Sequence, residues 1–258
     1  EGYKFFINKI WNATRFSIMN LEGFSAGAPV RREDKSIADR WILSRLNRTI
    51  AEVTRGLDEY RFNDASAAVY QFVWHEFCDW YLELAKPVLY GDKNAPARRA
   101  AQKTLRTVLT QSISLLHPFM PFLTEEIWQV LVADGSSVMV SPFPETDKTL
   151  DDPAAEREMG TVMEVITRIR NIRGEMNVAP SLKLKATLAT PGADLGAMLE
   201  RERTSIINLA NLEALTVTSE TIEPKGAATA VAGEVRVYVF LAGVIDVAGE
   251  KGRLEKEI

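Results

Sequence analysis

Three stretches of this sequence carry side chains able to do chemistry. The first is Asn8-Lys9-Ile10-Trp11-Asn12-Ala13-Thr14-Arg15-Phe16. It interleaves amides, cations and rings, the groups that hydrogen-bond to unpaired bases and stack on them. The second, Trp74-His75-Glu76-Phe77-Cys78-Asp79-Trp80-Tyr81-Leu82-Glu83, is so dense in rings that it reads first as core. The third is Arg168-Ile169-Arg170-Asn171-Ile172-Arg173. Guanidiniums around an apolar stripe bind phosphate or pair with local acids such as Glu164 and Glu175, and spacing leaves both open.

No set of residues converges on bond-making chemistry. There is no Gly-rich phosphate loop and no Gly-x-Ser-x-Gly elbow. Glu125 and Glu126 are adjacent and point apart on a helix, so they cannot act as an acid/base pair. Glu76 and Asp79 share a face, but within the aromatic stretch, where anchoring is the simpler role. His75 reads as a bundle histidine; His117, before Pro118, suits a helix end, meeting the last carbonyls. The single cysteine, Cys78, excludes an internal disulfide and a cysteine-based zinc site, and with two histidines no metal site is expected. A reducing, cytoplasmic compartment fits this usage.

The formal net charge of the 258 residues is -4. Residues 1–48 nonetheless hold nine Lys and Arg against five Asp and Glu. That asymmetry hints at a polyanion, although alone it reads first as a solvated helix face. No apolar run is long enough to span a bilayer. The chain opens at Glu1 in mid-pattern, with neither an initiator Met nor a signal peptide, which reads as an excised fragment.

The elements that must position these residues are mostly helices. Phe6, Ile10, Ala13, Phe16 and Leu21 make a stripe over 3–20. A polar loop follows, 22–35. Ser36, with Asp39 three residues on, forms the start of a second helix whose stripe is Ile37, Trp41, Leu43, Leu46, Ile50, Val53 and Leu57. A third helix opens near Asn63-Asp64 and is expected to close at Pro87 and Gly91. A fourth runs from Pro96 to His117-Pro118, and a short fifth from Thr124 to about Val132. Turn chemistry at Asp134-Gly135-Ser136-Ser137 and Pro142-Phe143-Pro144 marks a boundary. Beyond it come a helix over 154–177, a half-buried strand through Leu182, Leu184, Ala186 and Leu188, a helix over 193–208, and strands at 215–217 and 235–241. The fold class is mainly α: an antiparallel helical bundle over 1–140, a linker at 141–153, and a small α/β domain over 154–248. Residues 249–258 look like the first turns of a truncated helical arm.

Five stretches, NKIWNATRFSIMNLEGF (8–24), SIADRWILSRLNRTI (36–50), EFCDWYLELAKPVL (76–89), LLHPFMPFLTEEIWQ (115–129) and RIRNIRGEMNVAP (168–180), together resemble the bacterial valyl-tRNA synthetases, class I enzymes. The isoleucine and leucine enzymes share the bundle and the HP-x-x-PF-x-TEE-x-W segment, and an anticodon-binding region of that type is one alternative; a stand-alone helical adaptor for proteins is another. WNATRF and FCDWYLELAKP favour the valine enzyme.

The resemblance implies a bundle of the class I anticodon-binding type, an α/β domain and a helical arm. Signatures of HIGH and KMSKS type are absent from this sequence, so the fragment should neither activate valine nor edit, and should carry no catalytic residue and no cofactor. The whole enzyme would use ATP and Mg to join valine to its tRNA, whose anticodon has adenine in the middle and cytosine last. The implied partner is a valine-accepting tRNA, with no DNA, no membrane and a monomeric state. Residue chemistry on the family-like first helix and its loop selects Asn12, Arg15, Phe16, Asn20 and Phe24 for the anticodon, with Lys35 and Arg40 on phosphate. Arg168, Arg170 and Arg173 form a second set, for the tRNA backbone or the interdomain joint.

Overall fold

A computed structural model describes residues 2–25, 27, 29–132, 134–220, 224 and 226–241, residues 2 and 3 by backbone alone. The chain divides into two compact units, Glu1–Glu156 and Arg157–Ile258.

The first unit is a helical bundle. Helix α1 (Gly2–Asn20) buries Phe6, Ile10 and Ala13 as its stripe requires, with Phe16 and Leu21 at the margin. Helix α2 (Ile37–Asp58) starts in a full capping box: Ser36 Oγ accepts from the Asp39 N–H at 3.1 Å, and Asp39 accepts from the Ser36 N–H at 2.9 Å. Its Ile42, Leu46 and Val53 have no exposed surface, and each such side chain contributes about 1.5–3 kcal/mol when buried. Gly56 admits the next helix closely, since a β-carbon there would meet Ala65 Cβ at 3.0 Å.

The third helix departs from expectation. It begins at Phe62 as α3 (Phe62–Gln71), widens into a π-helical stretch (Phe72–Tyr81), and ends as α4 (Leu82–Leu89). Bonding from i to i+5 adds a residue to each turn. The wider spiral buries Phe72, Val73, Phe77, Cys78 and Tyr81 together, with the Phe77 and Tyr81 rings stacked at 6.1 Å. Pro87 does not close the helix; it sits inside α4. Its missing N–H forgoes one i→i−4 bond, the one that would reach the Glu83 carbonyl.

Helices α5 (Pro96–Leu116) and α6 (Pro121–Leu131) each start on a proline at the first turn, so α6 begins three residues before the expected Thr124. His117 occupies the α5 C-cap, its Nδ1 2.7 Å from Thr124 Oγ1. Residues 141–153, expected as a linker, fold back along α2. Asn47 accepts from the Asp147 N–H at 2.8 Å and donates to Asp151 at 2.6 Å, and Ser44 Oγ accepts from the Asp152 N–H at 2.9 Å.

The second unit joins the greater part of α7 (Pro153–Glu175) to a four-stranded sheet in the order β2-β1-β4-β3. Met159, Val162, Ile166, Ile169 and Ile172 are buried on α7 as the stripe predicts. β1 (Leu184–Ala189) pairs parallel with β2 (Leu212–Thr218) and antiparallel with β4 (Val235–Phe240). Being central, β1 buries Thr187 and Ala189 as well as the alternating residues, while Leu182 stays outside at 43% exposure. The helix expected over 193–208 is two, α8 (Ala193–Arg201) and α9 (Arg203–Ala210). Strand β3 (Ala227–Ala232) was not anticipated: its small residues show no alternation of large apolar groups. It turns into β4 at Gly233, whose φ of 54° suits glycine. The expected helical arm at 249–258 lies outside the described residues. No described helix is long and apolar enough to cross a membrane.

Candidate nucleic-acid interface

Helix α1 sorts its chemistry by face. Asn8, Trp11, Asn12, Arg15 and Met19 form one solvent-facing stripe, Trp11 being 40% and Met19 74% exposed. The Arg15 guanidinium has no ion-pair partner among the described residues. Phe16 and Asn20 lie one face round, toward α4 and α5. Phe16 meets Tyr90 edge-on at 6.3 Å, and Lys86 Nζ stands 5.9 Å over its ring. Asn20 is buried and spends its amide locally, donating to the Phe16 carbonyl at 2.8 Å, while its own carbonyl accepts from Gln102 at 2.8 Å. Asn20 therefore shapes the helix end instead of offering an amide outward.

Beside it lies a concavity of about 670 Å³ walled by Met19, Asn20, Tyr90, Lys93, Arg98 and Arg99, where the end of α1 meets the α4–α5 turn. Arg98 Nε donates to the Leu89 carbonyl at 2.9 Å and Arg99 to the Asn94 carbonyl at 2.8 Å. Those bonds fix the guanidiniums without neutralising them. The first turn of α5 contains no acidic residue. Cations there oppose the helix dipole, whose positive end favours anions, so the arrangement lowers stability and raises local positive potential. An anionic ligand offsets both.

The loop after α1 separates this concavity from a second, of about 320 Å³, lined by Phe24, Lys103, Arg106, Gln111 and Trp128 among others. The Arg106 guanidinium stands 5.9 Å over the Phe24 ring. Lys35 is half-buried nearby; burial lowers its pKa, Asp39 opposes the shift, and Lys103 and Arg32 add to it. Confining these cations together is costly without an anion.

Arg40 is placed differently. Its Nη1 donates to Asp152 at 2.9 Å, and Arg32 reaches the same oxygen at 2.8 Å. Burial would raise the Asp152 pKa, but the Ala155 N–H and the Arg40 and Arg32 charges hold it below the usual carboxylate range. Arg40 is thus committed to closing the 141–153 segment on α2. Arg45 and Arg48 serve the same seam through Glu156, at 3.8 and 3.1 Å, and Arg45 is also bidentate to Glu76 at 2.7 and 2.8 Å. Lys9 pairs with Asp79 at 2.5 Å and lies 3.9 Å from the centre of Trp74, so it anchors the aromatic stretch.

The three arginines singled out on α7 do not act together. Arg168 pairs with Glu164 at 3.1 Å, and Arg170 Nε donates to the Leu209 carbonyl at 2.9 Å, both on the exposed side. Arg173 is buried, donating to the carbonyls of Leu182 at 2.8 Å and Ala179 at 3.3 Å. Its bonds clamp the turn between α7 and β1, and only 8% of its surface is exposed.

Tyr90, Lys93, Arg98, Arg99 and Arg106 were not among the residues singled out from sequence. The signal was present in Lys93-Asn94-Ala95-Pro96-Ala97-Arg98-Arg99, a helix start with cations where acids are the norm.

A family model described as the anticodon-binding domain of tRNA ligase matches residues 39–188. The chain is 47% identical to the valine–tRNA ligase of Geobacter sulfurreducens over all its own length and 29% of that protein. It is 44% identical to the valine–tRNA ligase of Carboxydothermus hydrogenoformans, with the same coverage of both chains. Against the valine–tRNA ligase of Oceanobacillus iheyensis it is 42% identical over 98% of this chain and 28% of the relative. It spans less than a third of the length of the curated relatives it matches.

Proposed function

The chain belongs to the family of anticodon-binding domains of tRNA ligases, and from that premise we propose that it holds the anticodon arm of a valine-accepting tRNA on behalf of a valine–tRNA ligase. One observation carries the proposal. The bundle gathers Tyr90, Lys93, Arg98 and Arg99 around a 670 Å³ concavity at one end of α1, with the Phe16 ring edge-on to Tyr90. Anticodon bases are single-stranded, so they can be splayed onto rings and guanidinium planes while cations hold the backbone.

In this reading Asn12 and Arg15 contact the loop from the exposed face of α1, and Phe16 and Tyr90 supply stacking surface. Lys35, Lys93 and Arg99 meet phosphates. The complete ligase, with ATP and Mg bound in other domains, would join valine to the tRNA; this chain supplies selection and grip. A cytoplasmic, monomeric protein fits that work. The test is binding of the 258-residue chain to valine tRNA, to the same tRNA altered at the middle and last anticodon bases, and to a tRNA for another amino acid. Tighter binding to the first supports the proposal. Equal affinity for all three refutes anticodon reading.

A further inference from the structure

The smaller concavity is a site in its own right. The loop at Glu22–Phe24 divides it from the larger one, and the two draw on successive parts of α5: Arg98, Arg99 and Gln102 on one side, Lys103, Arg106 and Gln111 on the other. From Arg99 to Arg106 the helix rises about 10 Å. Phe24 offers a half-buried ring beneath the Arg106 guanidinium. Opposite, Trp128 is 7% exposed and its Nε1 donates to Ser136 at 3.1 Å, which fixes the indole.

We propose that this concavity takes one unpaired RNA base, stacked on Phe24 beside the Arg106 guanidinium, so that α5 reads two splayed nucleotides, one on each side of the Glu22–Phe24 loop. The proposal rests on the tRNA-binding reading above and deepens it. The flat ring and planar cation match a base, and Lys103 beside them matches its phosphate. A rigid apolar ligand without charge would leave Lys103 and Arg106 without an anion.

The experiment uses the whole chain and anticodon stem-loops of valine tRNA in which each loop base in turn is replaced by 2-aminopurine. Binding by the unaltered protein changes the fluorescence at two loop positions by stacking, one for each concavity. Phe24→Ala abolishes one of these changes, leaves the other, and weakens binding roughly five- to a hundredfold, with an unaltered salt slope, because a ring carries no charge. Phe24→Trp restores the signal. Arg106→Gln weakens binding and flattens the salt slope. Thermal melts of each variant establish that it is folded. If folded Phe24→Ala keeps the signal at every position and full affinity, Phe24 is packing and the second base site is overturned, while the anticodon reading stands. If the unaltered chain binds no stem-loop at all, both fall.

Discussion

Replacing Lys93 and Arg99 together by Gln tests the electrostatics of the larger concavity most directly. Both side chains sit at its rim, and neither forms an ion pair with a described carboxylate, although Arg99 helps to keep Asp34 ionised. The cost to folding is small: Arg99 loses one exposed bond to the Asn94 carbonyl at 2.8 Å, and surface changes of this kind stay within about 0.5 kcal/mol. The cost to binding depends on salt. Each phosphate neutralised along a single strand adds about 0.7 to the slope of log K against log salt. Two contacts therefore account for a slope of about 1.4, and between roughly 50 and 200 mM salt they make the unaltered chain lose about sevenfold more affinity than the double variant. Filter binding of valine tRNA at four or five salt concentrations reads both slopes. The variant also weakens binding to anticodon-altered tRNA by the same factor, because phosphate contacts carry no sequence. Parallel slopes for the two proteins would refute the argument and move the phosphate track off the start of α5.

Three further outcomes follow from the structure. Arg15→Ala and Phe16→Ala each weaken valine tRNA by about 1–3 kcal/mol and shrink discrimination against tRNA altered at the middle and last anticodon bases, whereas Lys35→Gln weakens all tRNAs alike; competition binding separates the patterns. Asp152→Ala removes the acceptor of the Ala155 N–H at 3.0 Å and frees Arg32 and Arg40, lowering stability by about 1–2 kcal/mol in urea melts at neutral pH. Because the folded pKa of Asp152 is lowered, its contribution is complete above the ordinary carboxylate range and is lost as pH falls through the folded value, so the variant and the unaltered chain converge in acid; a pH-independent gap would count against the ion pairs. Arg173→Met leaves the Leu182 and Ala179 carbonyls without their donor and destabilises the second unit by about 1–3 kcal/mol, while tRNA affinity at matched folded concentration is unchanged.

The helices of the bundle were legible because local signals agreed with burial. The Ser36 box, the Pro96 start and the α1 and α2 stripes name the starts and buried faces of their elements. What escaped depended on tertiary partners. The π-helical turn arises because Phe72, Phe77 and Tyr81 must share one core, which no period of 3.6 announces. β3 is a strand because β4 pairs with it, not because AATAVA is apolar on alternate sides. The site was half legible. Asn12, Arg15 and Phe16 could be chosen by type, since α1 carries them in one run. Whether a cation is free or spent could not: Arg40 and Arg173 look like Lys93 and Arg99 until Asp152 and the Leu182 carbonyl are seen beside them.

The capping box of α2 also times the closing of the bundle. Ser36 and Asp39 are near neighbours and can start the helix on their own, but Asp39 ends 2% exposed, with the Tyr81 hydroxyl donating to it at 2.7 Å from 42 residues further on. Until that hydroxyl arrives, the carboxylate stays in water and charged. Burial then raises its pKa, against the bonds from Ser36 and Tyr81. Docking of the π-helical turn is therefore coupled to proton uptake, and rising pH through the folded value withdraws what this group adds to the closed state. The nascent chain can wind α2 early, yet it cannot seal the end of that helix before the ribosome has delivered Tyr81.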